Sequence, residues 1–398
     1  MSKVQLPFGM QDYLPDDCYN KELTERALSS VFSSYGYKKV CVPTLEYYDL
    51  FTADDSISGK KLFKLTDTDG ALLALRADPT LQVCRMYVTN MNGVQRMYYA
   101  LDSFEYLSDS NSSRDREFAQ MGAELLGETD VDGEVELLTM AIDSFISAGL
   151  KDFKIEIGHV GFFEGIAEEA GLTSSQISEL KTLITKKDMI GVELFFKDVN
   201  ASENIKKSLL GTPSLFGDVS VLEKASKLCN NEKSKEALNH LRYILNKTNK
   251  MGLSEYVSVD LGLVSCNNYY TGIVFKGFCE GVGASILDGG RYDKLCDRMG
   301  NPTKAVGFAI GIKRLMKALK YRGVWEKAPI ADIAYAVIDC DERIIRKTLV
   351  ALRKRNRVVR VYGDETALIE YCKNKNIKKA IIFDGDAVEL NLNCGGKR

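Results

Sequence analysis

Residues 256–287 read YVSVDLGLVSCNNYYTGIVFKGFCEGVGASIL, and this stretch decides the fold class. Three strand-like segments follow one another in it: YVSVDLGLV, NYYTGIVFKGF and VGASIL. All are rich in the β-branched and aromatic residues that suit a half-buried pleated surface. Working outward, GFAIGIKRLMKALKYRG reads as a strand passing into a helix, while FKIEIG, EFAQMGAELLG and VQRMYYALDSFEYL read as further strands. KLFKL and ALLAL pair across TDTDG as a hairpin, with Asp69-Gly70 the strongest local turn signal. Near the start, KKVCVP reads as a strand stopped by Pro43.

Helices flank these strands. Leu23, Ala27, Leu28, Val31, Phe32 and Tyr35 recur on one helical face over 17–35. In RADPTLQVCRMYVTN, Asp78 can cap a helix whose first position is Pro79. EVELLTMAIDSFISAG is amphipathic. Residues 171–252 change character: they are polar, Lys- and Ser-rich and helical, with VELFF the one strand-like exception. After Gly323-Val324-Trp325 and Pro329 the pattern alternates strand and helix: ADIAYAVI, a helix over 342–354, RVVRVYG, a helix over 365–374 and KKAIIFDG. The expectation is an α+β core over 1–325 on a mostly antiparallel sheet, with a helical insertion at 171–252 and a small α/β domain over 326–398.

Composition narrows the function classes. The chain has 398 residues, 45% hydrophobic and 27% charged, with a formal net charge of -2, so no global field points to nucleic acid or a membrane. No apolar run approaches the about 20 residues of a membrane span, and MSKVQLPFGM lacks the features of a signal peptide, which makes the cytoplasm the expected compartment. Ten cysteines are scattered without a C-x-x-C pair and read as buried thiols, neither disulfides nor a zinc site. The two histidines are His159, which follows a strand and could line a cleft, and His240, which lies in a helical pattern; both read first as packed residues. No metal site, Ser/His/Asp triad or P-loop is expected.

Five segments, LPFGMQDYLP, LRADPT, REFAQMGAELLG, NYYTGIVF with GGRYD, and AVGFAIGIKRL, in this order resemble the histidyl-tRNA synthetase catalytic core, a class II synthetase fold, across about residues 4–322. Two groups share that core: the synthetases, and the regulatory subunits of ATP phosphoribosyltransferase. The resemblance implies a histidine pocket made of Asp78, Thr80, Gln120, Glu124, Tyr269, Tyr270 and Tyr292. Carboxylates there would take the ligand's ammonium and an imidazole N–H, and tyrosines would supply walls with polar tips.

The nucleotide side departs from the synthetase pattern. Where synthetases carry an Arg that clamps the α-phosphate, followed two residues later by Glu, the nearest alignment here gives Glu105 and Leu107. The R-G-L-D-Y-Y motif is replaced by Ser265-Cys266-Asn267-Asn268-Tyr269-Tyr270, which removes a second cation. Losing one such donor typically costs ~10²–10³ in rate. Arg314 still matches a terminal-phosphate Arg, Arg114 and Arg116 of the SDSNSSRDR loop could substitute for the lost one, and Asp288 stands where the family often has Gly.

The expectation that follows is a regulatory subunit with no catalytic residue and no cofactor. The resemblance implies partnership with the short catalytic subunit of ATP phosphoribosyltransferase in histidine biosynthesis, a homodimer within a hetero-octamer, and L-histidine as effector. A divergent histidyl-tRNA synthetase or amino-acid ligase is the alternative. The tail resembles a trimmed anticodon-binding domain and holds twelve Lys/Arg against five Asp/Glu over 341–380, which reads as a solvated face; tRNA is not expected as a partner.

Overall fold

The computed structural model describes residues 5–53, 57–106, 115–127, 130–185, 188–197, 199, 202–264 and 269–392. Helix α1 (Pro15–Ser34) opens with Pro15 and carries Asp16 and Asp17 in its first turn, where the helix dipole favours anions. Its buried stripe is Asn20, Thr24, Leu28 and Phe32, four residues apart each time. The strand expected from KKVCVP shrinks to β1 (Lys38–Lys39), parallel to the start of the main sheet. Next come β2 (Leu45–Tyr47), the short α2 (Tyr48–Thr52), β3 (Lys64–Thr66) and β4 (Leu72–Leu75), which make an antiparallel three-stranded sheet in the order β2-β4-β3. The β3–β4 turn uses Gly70 at φ +88°, a conformation that favours glycine. Helix α3 (Pro79–Asn90) is capped by Asp78, whose carboxylate accepts from the Thr80 N–H at 2.9 Å.

The main sheet has nine strands. Besides β1 it holds β5 (Gln95–Phe104), β6 (Glu117–Leu126), β7 (Lys154–His159), β8 (Phe216–Gly217), β9 (Val257–Asp260), β10 (Ile273–Phe278), β11 (Leu287–Arg291) and β12 (Ala305–Gly311). Their order is β1-β5-β6-β12-β11-β10-β7-β9-β8, antiparallel except at β1/β5 and β7/β9. Side chains alternate across the sheet, so each strand serves two surfaces. Tyr98, Met121, Ala123, Phe275, Phe308 and Ile310 join the core beneath α1, α4 (Val131–Ser147) and α12 (Ile312–Tyr321). Met97, Tyr99, Glu124 and Tyr292 lie in the other set, against α3 and the four-residue α11 (Lys294–Asp297).

One boundary moved. The sequence places a strand on VGASIL, yet β11 runs over LDGGR. Apolar content points to Val282–Leu287, but sheet space decides: a Cβ at Gly289 would strike the Phe275 ring, and one at Gly290 the Tyr270 ring. The strand therefore forms where glycines let aromatic rings lie flat on the backbone.

The helical character expected over 171–252 extends from α5 (Val160–Glu169) through α6 (Ser174–Thr185), α7 (Met189–Phe195), α8 (Glu203–Gly211), α9 (Ser220–Ser226) and α10 (Glu232–Lys250). VELFF, expected as a strand, is helical. Val192 and Phe196, four apart, are both buried, so the helical period outweighs the β-propensity of the run. Two-residue β8 also interrupts this region, pairing with β9.

The chain divides into two compact units, Met1–Trp325 and Glu326–Arg398. The second has β13 (Ile333–Asp339), α13 (Glu342–Arg353), β14 (Val358–Arg360), α14 (Glu365–Lys375), β15 (Lys379–Asp384) and β16 (Asp386–Asn391). Its sheet order is β14-β13-β15-β16, parallel but for the last strand, which the sequence reading missed. All eight described cysteines are free thiols; Cys84, Cys229, Cys296 and Cys372 are buried, whereas Cys18 and Cys41 are exposed, against expectation. In KKVCVP the strand has ended before Cys41, so its apolar neighbours do not bury it. Cys266 and Cys394 lie outside the described residues. Among the described residues no helix is long and apolar enough to cross a membrane.

Candidate functional site

The pocket is built on glycines. Cross-strand pairs Tyr99↔Gly122 and Glu124↔Gly307 set a large side chain opposite a residue without one. A Cβ at Gly122 would overlap the Tyr99 ring, and a Cβ at Gly307 would overlap the Glu124 carboxylate. Large side chains can therefore lie flat along the sheet surface.

Six of the seven residues expected in the pocket are brought together. Thr80 Oγ1 donates to Glu124 Oε1 at 2.8 Å, and the Tyr292 hydroxyl donates to Glu124 Oε2. The Tyr269 hydroxyl donates to Asp78 Oδ2 at 3.4 Å. The Tyr269 ring lies 4.7 Å from that of Tyr270 and 6.2 Å, edge-on, from that of Tyr292. Gln120 stands four residues from Glu124 along β6, where its amide oxygen accepts from the Ser103 hydroxyl at 3.1 Å. Tyr99 was missed by sequence reasoning; its hydroxyl is buried and makes no hydrogen bond of its own among the described residues. The signal was present in the β5 phase, which sets Tyr99 against Gly122.

Electrostatics single out Glu124. Burial pushes its carboxyl up to about 8. The Tyr292 and Thr80 hydroxyls pull the value down, and the neighbouring Asp78 adds to the rise. Asp78 is itself raised by burial, against the pull of the Thr80 and Tyr269 donors. Among the described residues neither carboxylate has a cation as partner. Two buried acids facing hydroxyls and aromatic walls form a receptor for a ligand that brings positive charge and N–H donors of its own.

A separate cavity, of about 120 Å³, takes Gln120 into its lining. Glu105, Asp115 and Asp288 line it on the acidic side, Lys313 and Arg314 on the basic side. The charges are already engaged. Glu105 pairs with Lys61 at 3.0 Å, Asp115 with Lys313 at 2.6 Å, and Asp288 with Lys276 at 3.4 Å. Arg314 donates to the Ser285 carbonyl at 2.7 Å, not to a carboxylate. Arg116, read as part of a polar loop, is tied by its backbone to Gly9 and Glu105, and its guanidinium lies 5.0 Å from both the Phe8 and Tyr106 ring centres. Leu107, Arg114 and Ser265-Cys266-Asn267-Asn268 lie outside the described residues. Three carboxylates against two cations make this lining a poor host for a polyphosphate.

The histidines are structural. His159 caps α5, its Nδ1 accepting from the Gly161 N–H at 3.1 Å, and burial followed by His240 lowers it to about 4. His240 stands on α10 with its Nε2 2.5 Å from the buried Glu134. Among the described residues no group of His, Cys, Asp and Glu could hold a metal ion.

Comparisons with known proteins bear on the family and the fold. A histidyl-tRNA synthetase family profile matches residues 9–315. The ATP phosphoribosyltransferase regulatory subunit of Acetivibrio thermocellus is 35% identical over 99% of this chain and 96% of its own length. That of Ruminiclostridium cellulolyticum is 36% identical over 98% of this chain and 94% of its own. A crystal structure described as an ATP phosphoribosyltransferase regulatory subunit/histidyl-tRNA synthetase from Bacillus halodurans superposes with a TM-score of 0.84 at 28% identity, covering 97% of this chain and 99% of that one. Histidyl-tRNA synthetase from Nostoc shares the fold at a TM-score of 0.78 and 18% identity, over 98% and 97% of the two chains.

Proposed function

Because the chain belongs to the ATP phosphoribosyltransferase regulatory subunit family, built on the histidyl-tRNA synthetase fold, we propose that it is a histidine sensor with no catalysis of its own. In this reading, free L-histidine enters the tyrosine-walled pocket. Its ammonium and an imidazole N–H meet Asp78 and Glu124, and Tyr269, Tyr270 and Tyr292 enclose it. The observation that carries the reading is the fully buried Glu124 beside Asp78, with no cation as partner among the described residues. Such a pair costs free energy while the pocket is empty and recovers it when a cationic ligand arrives.

The separate acid-lined cavity supports the absence of adenylation. Charge developing on a nucleotide phosphate would meet Glu105 and Asp288 there. The partner in this reading is the short catalytic subunit that joins ATP to phosphoribosyl pyrophosphate, in the cytoplasm. The regulatory chain acts as a homodimer within a hetero-octamer. Histidine inhibits by binding differently in the active and inhibited assemblies, and a coupling of about 1–3 kcal/mol shifts activity about 5–150-fold.

The test is direct. Purified protein titrated with L-histidine in a calorimeter is expected to bind it, and the same preparation with ATP, histidine and labelled pyrophosphate is expected to give no exchange. Histidine-dependent exchange would make the chain a ligase and remove the proposal.

A further inference from the structure

A buried charge cluster outside the pocket joins the helical region to the segments that hold the pocket's tyrosines. Glu134, on the first turn of α4, is 0% exposed. One of its oxygens accepts from Arg291 Nε, the other faces His240 Nε2 at 2.5 Å. With a carboxylate as the acceptor, the imidazole Nε2 is the donor. Arg291 also donates to Asp293 Oδ1 at 3.0 Å and to the Asp130 carbonyl at 3.2 Å. His240 sits on α10, whereas Arg291 closes β11 immediately before Tyr292.

Arg291 holds both tyrosine-bearing segments. Its carbonyl accepts from the Thr271 N–H at 2.8 Å, one residue beyond Tyr270. Its side chain fills the space beside Gly272, where a Cβ would come within 3.0 Å of Arg291 Cδ. The Asp293 N–H donates to Thr271 Oγ1 at 3.2 Å, and Asp293 Oδ1 accepts from the Ala305 N–H at 2.8 Å. A carboxylate shared by a guanidinium and an imidazole is a directional, charge-assisted junction in a dry interior, and breaking one arm of it leaves the rest unbalanced.

We propose that His240, acting through Glu134 and Arg291, is a positioning residue for the pocket, and that this junction links the helical region to the 269–272 and 291–293 segments. The proposal rests on the histidine-pocket reading for its ligand, although the mechanical link stands without it. Motion of α10 would shift Glu134 and with it Arg291; in the other direction, a ligand drawing in Tyr269 and Tyr292 would load the same contacts. Such coupling is reciprocal by thermodynamic necessity.

The test compares H240N, too short to reach Glu134, with H240Q, whose amide nitrogen can occupy the Nε2 position. Two quantities are read on the full chain: amide hydrogen exchange without ligand, and histidine affinity. In H240N, exchange is expected to quicken at Thr271, Tyr292 and Asp293, and histidine affinity to fall about 10-fold, within the usual range for coupled sites. In H240Q both are expected to return to within about 3-fold of the parent. Unchanged exchange at those amides in a folded H240N protein overturns the proposal whatever the ligand does. Quickened exchange in H240N, restored in H240Q, in a protein whose parent binds no histidine upholds the link and refutes the pocket's ligand instead. Equal exchange in H240N and H240Q shows that the contact does not act through the Nε2 donor, which also overturns it.

Discussion

The cluster around Glu124 and the cavity beside Gln120 stand on neighbouring strands of the main sheet, yet their electrostatics are opposite in kind. Around Glu124 and Asp78 the carboxylates are buried and answered by hydroxyls and a backbone N–H. Around Glu105, Asp115 and Asp288 each carboxylate is answered by a lysine, and the surroundings are more open. The first arrangement leaves an unmet demand for positive charge. The second leaves none on its carboxylates, since each already has its lysine. Burial, not the count of acids, sets the two apart.

The largest effect is expected from E124Q. It removes the carboxylate that the Thr80 and Tyr292 hydroxyls both face, and histidine affinity should fall about 100-fold or more by calorimetry, as for loss of one partner of a buried charged pair. Retained binding would break the comparison outright. The pH dependence comes next. The folded-state value for Glu124, about 8, lies above its ordinary 4.5, so the stability it contributes is fully present below about 4.5 and is lost as pH rises through about 8. Thermal unfolding of the ligand-free protein should therefore weaken over that window, with a slope of up to about 1.4 kcal/mol per pH unit from this group, and E124Q should flatten it. Histidine should bind about 50-fold more tightly at pH 8 than at pH 6, as a carboxyl titrating near 8 ionises, and release a proton near neutrality, visible in buffers of different ionisation enthalpy. Binding that is flat with pH would remove Glu124 from the contact.

Smaller effects sharpen the second space. E105R turns its lining from a majority of acids to a majority of cations and should raise ATP affinity about 5–10-fold while leaving histidine affinity unchanged. Loss of histidine binding in E105R would show that the two spaces are not separable. The smallest change is K61A: Lys61 is 53% exposed, its pair with Glu105 is solvent-screened, and stability by denaturant titration should stay within about 0.5 kcal/mol.

Much of the fold was legible because its signals are local. Asp78-Pro79 announces the start of α3, Asp69-Gly70 the hairpin, and the repeat of Leu28 and Phe32 the buried side of α1. Local signals failed where the decision was made elsewhere in the chain. Gly289 and Gly290 carry a strand because Phe275 and Tyr270 lie across them, and VELFF is helical because Val192 and Phe196 are buried together. The pocket residues could be named from the sequence, since motif spacing survives in one dimension. That Gln120 leans toward Ser103 and the second cavity, and that Tyr99 covers Gly122, could not.

By itself, then, the sequence determined many of the local elements, the family motifs and the residue types of the proposed site. These depend on spacing and side-chain chemistry along the chain. Only the tertiary structure decided that Glu124 is buried with no cation as partner among the described residues while Glu105 is paired with Lys61, and that His240 meets Arg291 through Glu134. Charge state and coupling are set by burial and by neighbours distant in the chain, and a linear pattern carries neither.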